Sequence, residues 1–333
     1  MLKPARSLLS SVSAANQAMP YNWNWQRRWS EVSDFLTQNR IILMDVGARG
    51  EAPPELDSLL PFVHRVGFEA DVDECQRLND TEDGTFFANL VAGAPGPMSL
   101  NLYEVAAYSS VYTLSERFQR LWTGPMAIAS TFESEALTLD TFLSGHDDLR
   151  PDLLKLDTQG TELEILQGAQ ASLARIGLIE VEVEFIEQYE GQPLFGDIAS
   201  YMSEQGFELL YLSRVFANRN KVYEGPSRGQ LVYGDALFGR REDKLDDFTN
   251  VRLAKYIILL CQYGHMDIAW QILQEHPEVK ALVPKLTSVF RSRPPNRIAR
   301  GALMQVDKAL AMGLHARRYN QRGMDTDRAW PIR

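Results

Sequence analysis

The sequence predicts an α/β fold, with a mostly parallel sheet that carries helices on both faces. Short apolar segments that end in an acid or a glycine turn alternate with helix-like segments over residues 36–242. Such alternation is typical of a doubly wound sheet, because parallel neighbours need a helical crossover. Residues 206–214 and 230–240 then predict an antiparallel pair at the sheet edge.

The first two strand-helix units define the start of this Rossmann-like sheet. An apolar strand at residues 41–44 leads through Asp45 and a glycine-bearing turn to a proline-marked helix start. The second strand ends at Glu69, and either Asp71 or Asp73 is placed to cap the helix that follows. Both strands therefore deliver an acid to the carboxyl edge of the sheet.

Further strands are expected in the same sheet, at residues 85–93, 98–105, 136–143, 153–156 and 178–185. The last of these alternates apolar residues with Glu180, Glu182 and Glu184. A parallel strand that is buried on both faces should be apolar throughout. These carboxylates must therefore meet partners or solvent, because an unpaired buried charge is too costly.

The chain divides into three predicted regions: an N-terminal helical or irregular segment (1–35), the α/β domain (36–242) and a helical extension (243–333). The extension begins with a helical hairpin that turns near residues 263–267, and another helix is expected at 298–318. It could shape an acceptor entrance, mediate homodimerisation or cover an apolar surface of the sheet.

Charge is distributed unevenly. The net charge is −10, yet residues 281–333 hold 11 lysines and arginines against three acids, which leaves −18 for residues 1–280. A basic tail of this kind is typical of a solvated helical face that also pairs with an acidic body, and an anionic partner is the alternative.

Composition points to a cytoplasmic protein. Cys75 and Cys261 are too few for a disulfide framework and lack metal-ligand spacing, which favours a reducing compartment. The first 20 residues make a poor signal peptide, and no run of about 18 apolar residues could span a membrane.

The acids and glycines at the first two strand ends predict the ligand. The run Gly47-Ala48-Arg49-Gly50 lacks the spacing of a dinucleotide fingerprint, and Asp45 before it would repel a pyrophosphate but suits a cationic amino acid moiety. Glu69, 24 residues on, can accept both hydroxyls of a ribose. A ribose and a cationic amino acid without a diphosphate together describe S-adenosylmethionine.

Six segments in order resemble the FkbM family of S-adenosylmethionine-dependent methyltransferases: LMDVGARGE, VGFEAD, LTLDTFL, DLLKLDTQGTELEILQGA, IEVEVEFIEQYEGQPLFGDI and GDALFGR. The resemblance implies a class I methyltransferase fold and O-methylation of a sugar, glycolipid or natural-product hydroxyl. It implies that the turn Gly47, Ala48, Arg49 and Gly50 holds the methionine part, with Asp45 at its ammonium and Glu69 at the ribose. Asn89 and Leu90 would lie near the adenine.

Asp157 is the candidate catalytic base. It ends the apolar strand at 153–156, beside which the sulfonium and the acceptor would lie, and a carboxylate within hydrogen-bond reach can align a hydroxyl and remove its proton. Strand parity suggests a pair of Asp157 with Glu184 above a Lys155–Glu182 ion pair. Two strand-end acids could also hold Mg²⁺, but they are a small ligand set, so metal dependence is not favoured.

Candidate acceptor contacts come from two loops. Ser109 and Ser110 match a Ser-Ser segment of the family, and Tyr189 and Gln192 follow the last acidic strand. A small-molecule or glycan acceptor is expected. Nucleic acid is not, because the cofactor domain is acidic and lacks an Asn/Asp-Pro-Pro-aromatic turn. A nicotinamide dehydrogenase and a non-catalytic scaffold with a partner-binding tail are the alternative classes.

Overall fold

The structure is a computed structural model that describes residues 29–146, 148–219, 229–290 and 324–326. The strands are β1 (Ile41–Val46), β2 (Val63–Phe68), β3 (Gly84–Phe87), β4 (Leu90–Val91), β5 (Gly96–Tyr103), β6 (Ile128–Leu137), β7 (Leu153–Leu156), β8 (Leu178–Glu184), β9 (Phe207–Ala217), β10 (Gln230–Arg240) and β11 (Met324–Thr326).

A mixed sheet of eight strands runs in the order β11-β9-β10-β8-β7-β1-β2-β3. Its centre, from β8 to β3, is parallel, whereas β10 is antiparallel to β8 and β9. This arrangement confirms the predicted fold class, including the antiparallel pair. That pair is not the outermost element, because β11 joins β9.

The prediction of a single sheet is wrong for the middle of the chain. β4, β5 and β6 form a separate three-stranded sheet, in which β6 pairs with both of the others. The strand expected at 136–143 also ends early, at Leu137. Thr138 caps a helix there by accepting a hydrogen bond from the Thr141 amide at 3.0 Å, and such a cap stops a strand from continuing.

The helices are α1 (Ser33–Gln38), α2 (Val72–Thr81), α3 (Glu116–Phe118), α4 (Leu139–Ser144), α5 (Glu162–Gln167), α6 (Gln170–Leu173), α7 (Phe195–Glu204), α8 (Asn250–Gln262), α9 (Met266–Glu275), α10 (Pro277–Leu282) and α11 (Leu286–Val289). Asp71 caps α2 by accepting from the amides of Asp73 and Glu74, as one of the two predicted alternatives requires.

Each face of the sheet has its own core. On one face, Leu43, Leu153 and Leu178 pack with the apolar sides of α1 and α8–α11. On the other, residues such as Leu154 and Ile179 pack with α4–α7. The helical hairpin α8–α9 is confirmed and completes one layer of the fold. The helix expected at 298–318 lies outside the described residues.

Side chains that share a face with the first core become polar towards the carboxyl end of the strands. β1 places Asp45 beside Lys155 of β7, and β7 in turn places Lys155 beside Glu180 of β8. Asp235 of β10 lies beside Glu182. A row of charged groups therefore crosses the sheet just below the strand ends. No helix in the described part of the chain is long and apolar enough to cross a membrane.

Candidate functional site

A cavity of about 440 Å³ opens at the carboxyl ends of β1, β2 and β7, between the main sheet and the small one. Open α/β sheets bind their ligands at this edge. Among the predicted residues, those that line the cavity are Gly47, Arg49, Glu69, Asn89, Leu90, Ser109 and Asp157. Those that do not are Asp45, Ala48, Gly50, Ser110, Glu184, Tyr189 and Gln192.

The glycine turn after β1 lies tightly against the end of β7. Gly47 has a φ of +81°, and a Cβ atom there would come within 2.0 Å of the Asp157 carbonyl oxygen. Only glycine combines this left-handed backbone with so close an approach. The Gly47 and Ala48 amides both donate to the carbonyl of Phe68, which ties the turn to the end of β2.

Arg65, which sequence reasoning missed, holds this turn from below. Its guanidinium donates to the Asp45 carboxylate at 2.8 Å and to the carbonyls of Ala48 and Gly50 at 2.8 and 2.9 Å. Asp45 is 1% exposed and serves as the buried counter-ion of Arg65. The only sequence signal was an arginine among the valines, glycine and phenylalanine of a strand that also contains His64.

Glu69 lies at the cavity wall beyond β2, as the sequence predicted. Its carboxylate accepts from the Asp71 amide at 2.9 Å and lies 3.5 Å from the Arg49 guanidinium, which also contacts Asp71 at 2.7 Å. Burial raises the pKa of Glu69, while the Asp71 amide and the Arg49 charge oppose that rise. Arg49 therefore spans two acids at the mouth of the cavity.

Apolar side chains form the rest of the wall. Leu90 and Val91 of β4 line the cavity together with Leu100 and Leu102 of β5, and Asn89 lies next to Leu90 in this lining. This combination of an apolar slot with one amide suits a flat heterocycle. Neither strand belongs to the main sheet, so the small sheet supplies one side of the site.

Asp157 follows β7 directly and lines the cavity with its side chain 39% exposed. Lys155 lies 3.3 Å from its Oδ2 atom and 4.0 Å from Oδ1 of Asp45. The pKa of Lys155 is raised because the charges of Asp157, Asp45 and Glu180 outweigh the opposing effect of burial. A permanent positive charge therefore sits beneath the candidate base.

Gln159 connects the groups around Asp157. Its Nε2 atom donates to Asp157 at 3.0 Å and to Glu182 at 2.6 Å, and its Oε1 atom accepts from the Tyr189 hydroxyl at 2.9 Å. Ser110 donates to its carbonyl at 2.6 Å. Within the described residues it is the only non-glycine residue with a positive φ, at 60°. Such a backbone persists only where surrounding contacts hold it.

The pairing expected for the acidic strand differs by two residues. The register places Lys155 beside Glu180, so that Asp157 is level with Glu182 rather than with Glu184. Lys155 contacts Asp157, and no Lys155–Glu182 ion pair forms. Parity gave the correct face, but it could not fix the register.

Glu184 is fully buried, away from the cavity. Its Oε1 atom accepts from Gln188 at 3.5 Å, and its Oε2 atom has no hydrogen-bond partner within the described residues. Burial raises the pKa of Glu184, and the charges of Glu162 and Asp157 raise it further. A carboxylate in these surroundings favours its protonated form.

Glu162 fixes the loop between β7 and α5 from within. Its carboxylate accepts from the Thr158 amide at 2.7 Å, from the Thr158 hydroxyl at 2.9 Å and from the Gly160 amide at 3.0 Å. Burial raises the pKa of Glu162 to about 7, against the effect of these donors. Gln159 lies between the two residues that Glu162 holds.

Of the predicted acceptor residues, one lines the cavity and three are buried behind its wall. Ser109 lines the cavity, whereas Ser110, Tyr189 and Gln192 are buried beneath it. Gln192 accepts from the amides of Gln188 and Tyr189, which shapes the loop that carries Tyr189. In this arrangement Ser110 and Tyr189 reach the cavity only through Gln159. Within the described residues, no group of three or more metal-binding side chains is placed to hold an ion.

Residues 51–209 match the family model described as the methyltransferase FkbM domain. This match confirms the resemblance that the sequence motifs indicate, and the enzyme class expected from the sequence, an S-adenosylmethionine-dependent methyltransferase, is confirmed. The match begins just after the glycine turn and ends within β9, so it includes Glu69, Asn89 and Asp157. No curated protein matched the chain.

Several solved methyltransferases resemble the chain at low similarity. Magnesium protoporphyrin IX methyltransferase from Synechocystis PCC 6803, with bound SAM, is 10% identical over 65% of this chain and 80% of its own, with a TM-score of 0.31. An rRNA methylase from Streptococcus thermophilus is 12% identical (64% and 95%; TM-score 0.29). A 1,6-didemethyltoxoflavin-N1-methyltransferase from Burkholderia thailandensis, with bound 1,6-didemethyltoxoflavin and S-adenosylhomocysteine, is 13% identical (71% and 87%; TM-score 0.31). Similarity at this level identifies neither an acceptor nor individual residues.

Proposed function

We propose that this enzyme transfers a methyl group from S-adenosylmethionine to a hydroxyl of a sugar, a glycolipid or another natural-product small molecule, with Asp157 as the base. One observation carries the proposal: a half-exposed carboxylate at the cavity is oriented by an amide and a lysine. A group in such surroundings can accept a proton from an acceptor hydroxyl.

The cavity fits the cofactor in size, shape and donor set. Its volume of about 440 Å³ lies within the usual range for cofactor sites. Gly47 lines the cavity without a side chain, which leaves the backbone of the turn open to a close approach by the methionine part. The Glu69 carboxylate would accept from the ribose hydroxyls, and Asn89 and Leu90 would contact the adenine.

S-adenosylmethionine, when bound, supplies an electrophilic methyl group whose transfer removes positive charge from sulfur. The protein's own residues have two tasks: to align the acceptor oxygen and to accept its proton. Asp157 takes the proton from the hydroxyl and later releases it to solvent through the open mouth. Gln159 is a positioning residue, since its amide holds one oxygen of Asp157 and leaves the other near Lys155.

The remaining predicted residues take supporting roles in this proposal. Asp45 acts through Arg65, which holds the Ala48 and Gly50 carbonyls, rather than by touching the cofactor's ammonium. Arg49 orients Glu69. Ser109 is the candidate for direct acceptor contact. Glu184, Ser110, Tyr189 and Gln192 shape the walls.

We also propose that the domain limits follow the sequence prediction, with catalysis in residues 36–242 and a supporting layer in the helices that follow. Contacts between the α/β domain and the helices that follow it favour a supporting role for those helices. Tyr263, which follows α8 directly, donates to Glu180 of β8 at 2.8 Å, and Gln262 of α8 contacts Trp29 and Ser58. The helices cover the sheet face that bears Leu43 and Leu153.

Calorimetry with S-adenosylmethionine and S-adenosylhomocysteine tests the cofactor site. Both should bind, whereas NAD should not. Glu69→Gln should weaken cofactor binding at least tenfold, because an amide cannot accept both ribose hydroxyls. Glu74→Gln, a neighbouring change outside the cavity lining, is the matched control and should bind as the wild type does. Equal affinities in the two variants would place the ribose elsewhere.

Transfer of a labelled methyl group to a panel of glycans, glycolipids and polyhydroxylated natural products tests the acceptor class. Label that resists alkaline ester hydrolysis and appears on oxygen would support O-methylation. Label found only on nitrogen, or on none of these compounds despite cofactor binding, would contradict the proposed acceptor. The second result is what a non-catalytic scaffold would give.

A further inference from the structure

A second cavity, of about 570 Å³, lies at the amino end of the strands, opposite the candidate active site. It forms where the segment before β7, the loop before β8 and the start of α8 meet. The residues that line it are Arg150, Asp152, Ala174, Arg175, Asp247, Thr249, Val251, Arg252 and Lys255. No step of the proposed methyl transfer uses any of them.

Cationic groups predominate in this cavity, although the whole chain has a net charge of −10. Four basic side chains face two acids. One pair is already satisfied, because Lys255 donates to the buried Asp152 carboxylate at 2.9 Å. The second acid, Asp247, is exposed at the rim. Arg150, Arg175 and Arg252 therefore line the same concave surface.

Two of these arginines lack a protein counter-ion. In the part of the chain that the structure describes, neither Arg175 nor Arg252 forms a side-chain hydrogen bond or a close ion pair; the Arg252 guanidinium instead lies over the Phe248 ring at 5.4 Å. Burial lowers the pKa of Arg252, Asp152 opposes this, and the nearby charges of Arg150 and Arg175 lower the pKa further. Arg150 and Arg175 thus both act on the Arg252 guanidinium, with which they line the cavity.

The start of α8 adds a partial positive charge at the same place. Thr249 and Val251 lie at the first turn of this 13-residue helix and line the cavity. Backbone amides at a helix start attract anions, and here they reinforce the side chains. An anion in the cavity would supply the counter-charge that Arg175 and Arg252 lack among the described residues.

We propose that this cavity binds a phosphate-bearing small molecule, of the phosphomonoester or diphosphate class, held by the guanidinium groups of Arg175 and Arg252 together with Arg150. A planar guanidinium matches two phosphate oxygens at once, which a lysine cannot do. Since Arg175 precedes β8 and Arg252 belongs to α8, the bound anion joins the sheet to the helical layer. Occupancy therefore stabilises the docking of α8.

Calorimetry and thermal melting with sodium pyrophosphate, against sodium chloride of equal ionic strength, test the proposal on the full chain. The wild type should show saturable one-to-one binding and a raised Tm. Arg175→Gln combined with Arg252→Gln should weaken pyrophosphate binding at least tenfold. Arg77→Gln removes one charge from the exposed face of α2 and should bind as the wild type does. Arg175→Gln alone, at an exposed loop position, should weaken binding at least threefold even if the double variant does not fold.

Two outcomes would overturn the proposal: no saturable binding beyond the chloride control, or equal pyrophosphate affinity in the wild type and Arg175→Gln. Co-sedimentation with phosphatidylcholine vesicles, with and without phosphatidic acid, identifies the source of the phosphate. If the protein sediments with vesicles that contain phosphatidic acid and pyrophosphate reverses this, the ligand is a lipid headgroup. If the protein binds pyrophosphate in calorimetry but does not sediment with these vesicles, the ligand is a soluble phosphate ester. Affinity for S-adenosylmethionine should be unchanged in every variant, so this proposal and the cofactor assignment fail independently.

Discussion

Two aspartates bracket β7, and their surroundings differ. Asp152 precedes the strand and is buried. Its carboxylate forms an ion pair with Lys255 and accepts a hydrogen bond from the Ile42 amide. Asp157 follows the strand roughly 16 Å away, is 39% exposed, and is held by Lys155 and Gln159 without being enclosed. The same residue type thus serves the fold at one end and is available for chemistry at the other.

The two aspartates differ in how accessible their carboxylates are. The Asp152 carboxylate is buried and accepts hydrogen bonds from Lys255 and the Ile42 amide; burial raises its pKa, and Lys255 opposes that rise. Around Asp157, the amide of Gln159 occupies one oxygen and the cavity remains open. A carboxylate that is oriented but accessible is what proton transfer to a positioned base requires. Identical Asp→Asn changes at these two positions therefore separate chemistry from folding.

The largest expected effect is that of Asp157→Asn on turnover. Loss of the base should lower kcat by about 10²–10⁴-fold, the usual contribution of a positioned base. Cofactor affinity and Tm should change little, because the amide keeps the shape of the side chain. Methyl-transfer rates and melting curves of the same preparation provide the check. Activity within threefold of the wild type would exclude Asp157 as the base.

Asp152→Asn should have the opposite effect. Removing one partner of a buried ion pair leaves Lys255 uncompensated, which costs about 3 kcal/mol of unfolding free energy. Denaturant unfolding measures this loss, while kcat per folded molecule should stay near the wild-type value. The double change Asp152→Asn with Lys255→Met should recover part of the stability. A variant as stable as the wild type would show that the pair contributes nothing.

The sequence was sufficient to place Asp157 and Glu69 at the cavity, because each follows a strand and the carboxyl ends of parallel strands meet at one edge. It was not sufficient to place Glu184. Alternation fixed the face of that residue, but the register that puts Asp157 level with Glu182 depends on long-range pairing. Gln159 was missed for a related reason, since its importance lies in a positive φ and in partners up to 49 residues away.

Gln159→Glu tests whether the hydrogen bond from Gln159 to Asp157 contributes to catalysis, because it leaves Asp157 itself unchanged. A carboxylate at this position repels the charges of Asp157 and Glu182, and Asp157 also loses a hydrogen-bond donor. We expect kcat to fall about tenfold or more, with an unchanged KM for S-adenosylmethionine, and the acidic limb of the rate profile to move to higher pH. Gln76→Glu, on the exposed face of α2, is the control. An unshifted pH profile would limit Gln159 to a structural role.

The smallest expected effect concerns Glu180, on the same face as Lys155. Its pKa is raised from 4.5 to about 8, mainly by burial and further by Glu55 and Asp235, while Tyr263 and Lys155 oppose the rise. The folded state therefore holds a proton that the unfolded chain releases, so this contribution to stability is complete below pH 4.5 and is lost as pH rises to about 8. Glu180→Gln stays neutral and can still accept from Tyr263, so it should flatten this loss and be more stable than the wild type at pH 8.5 by at least about 1 kcal/mol. Urea unfolding between pH 4.5 and pH 8.5 measures the free energy of unfolding, and Glu104→Gln, a change at an exposed position, is the control. If the stability of Glu180→Gln falls with pH as steeply as that of the wild type, other groups cause the pH dependence.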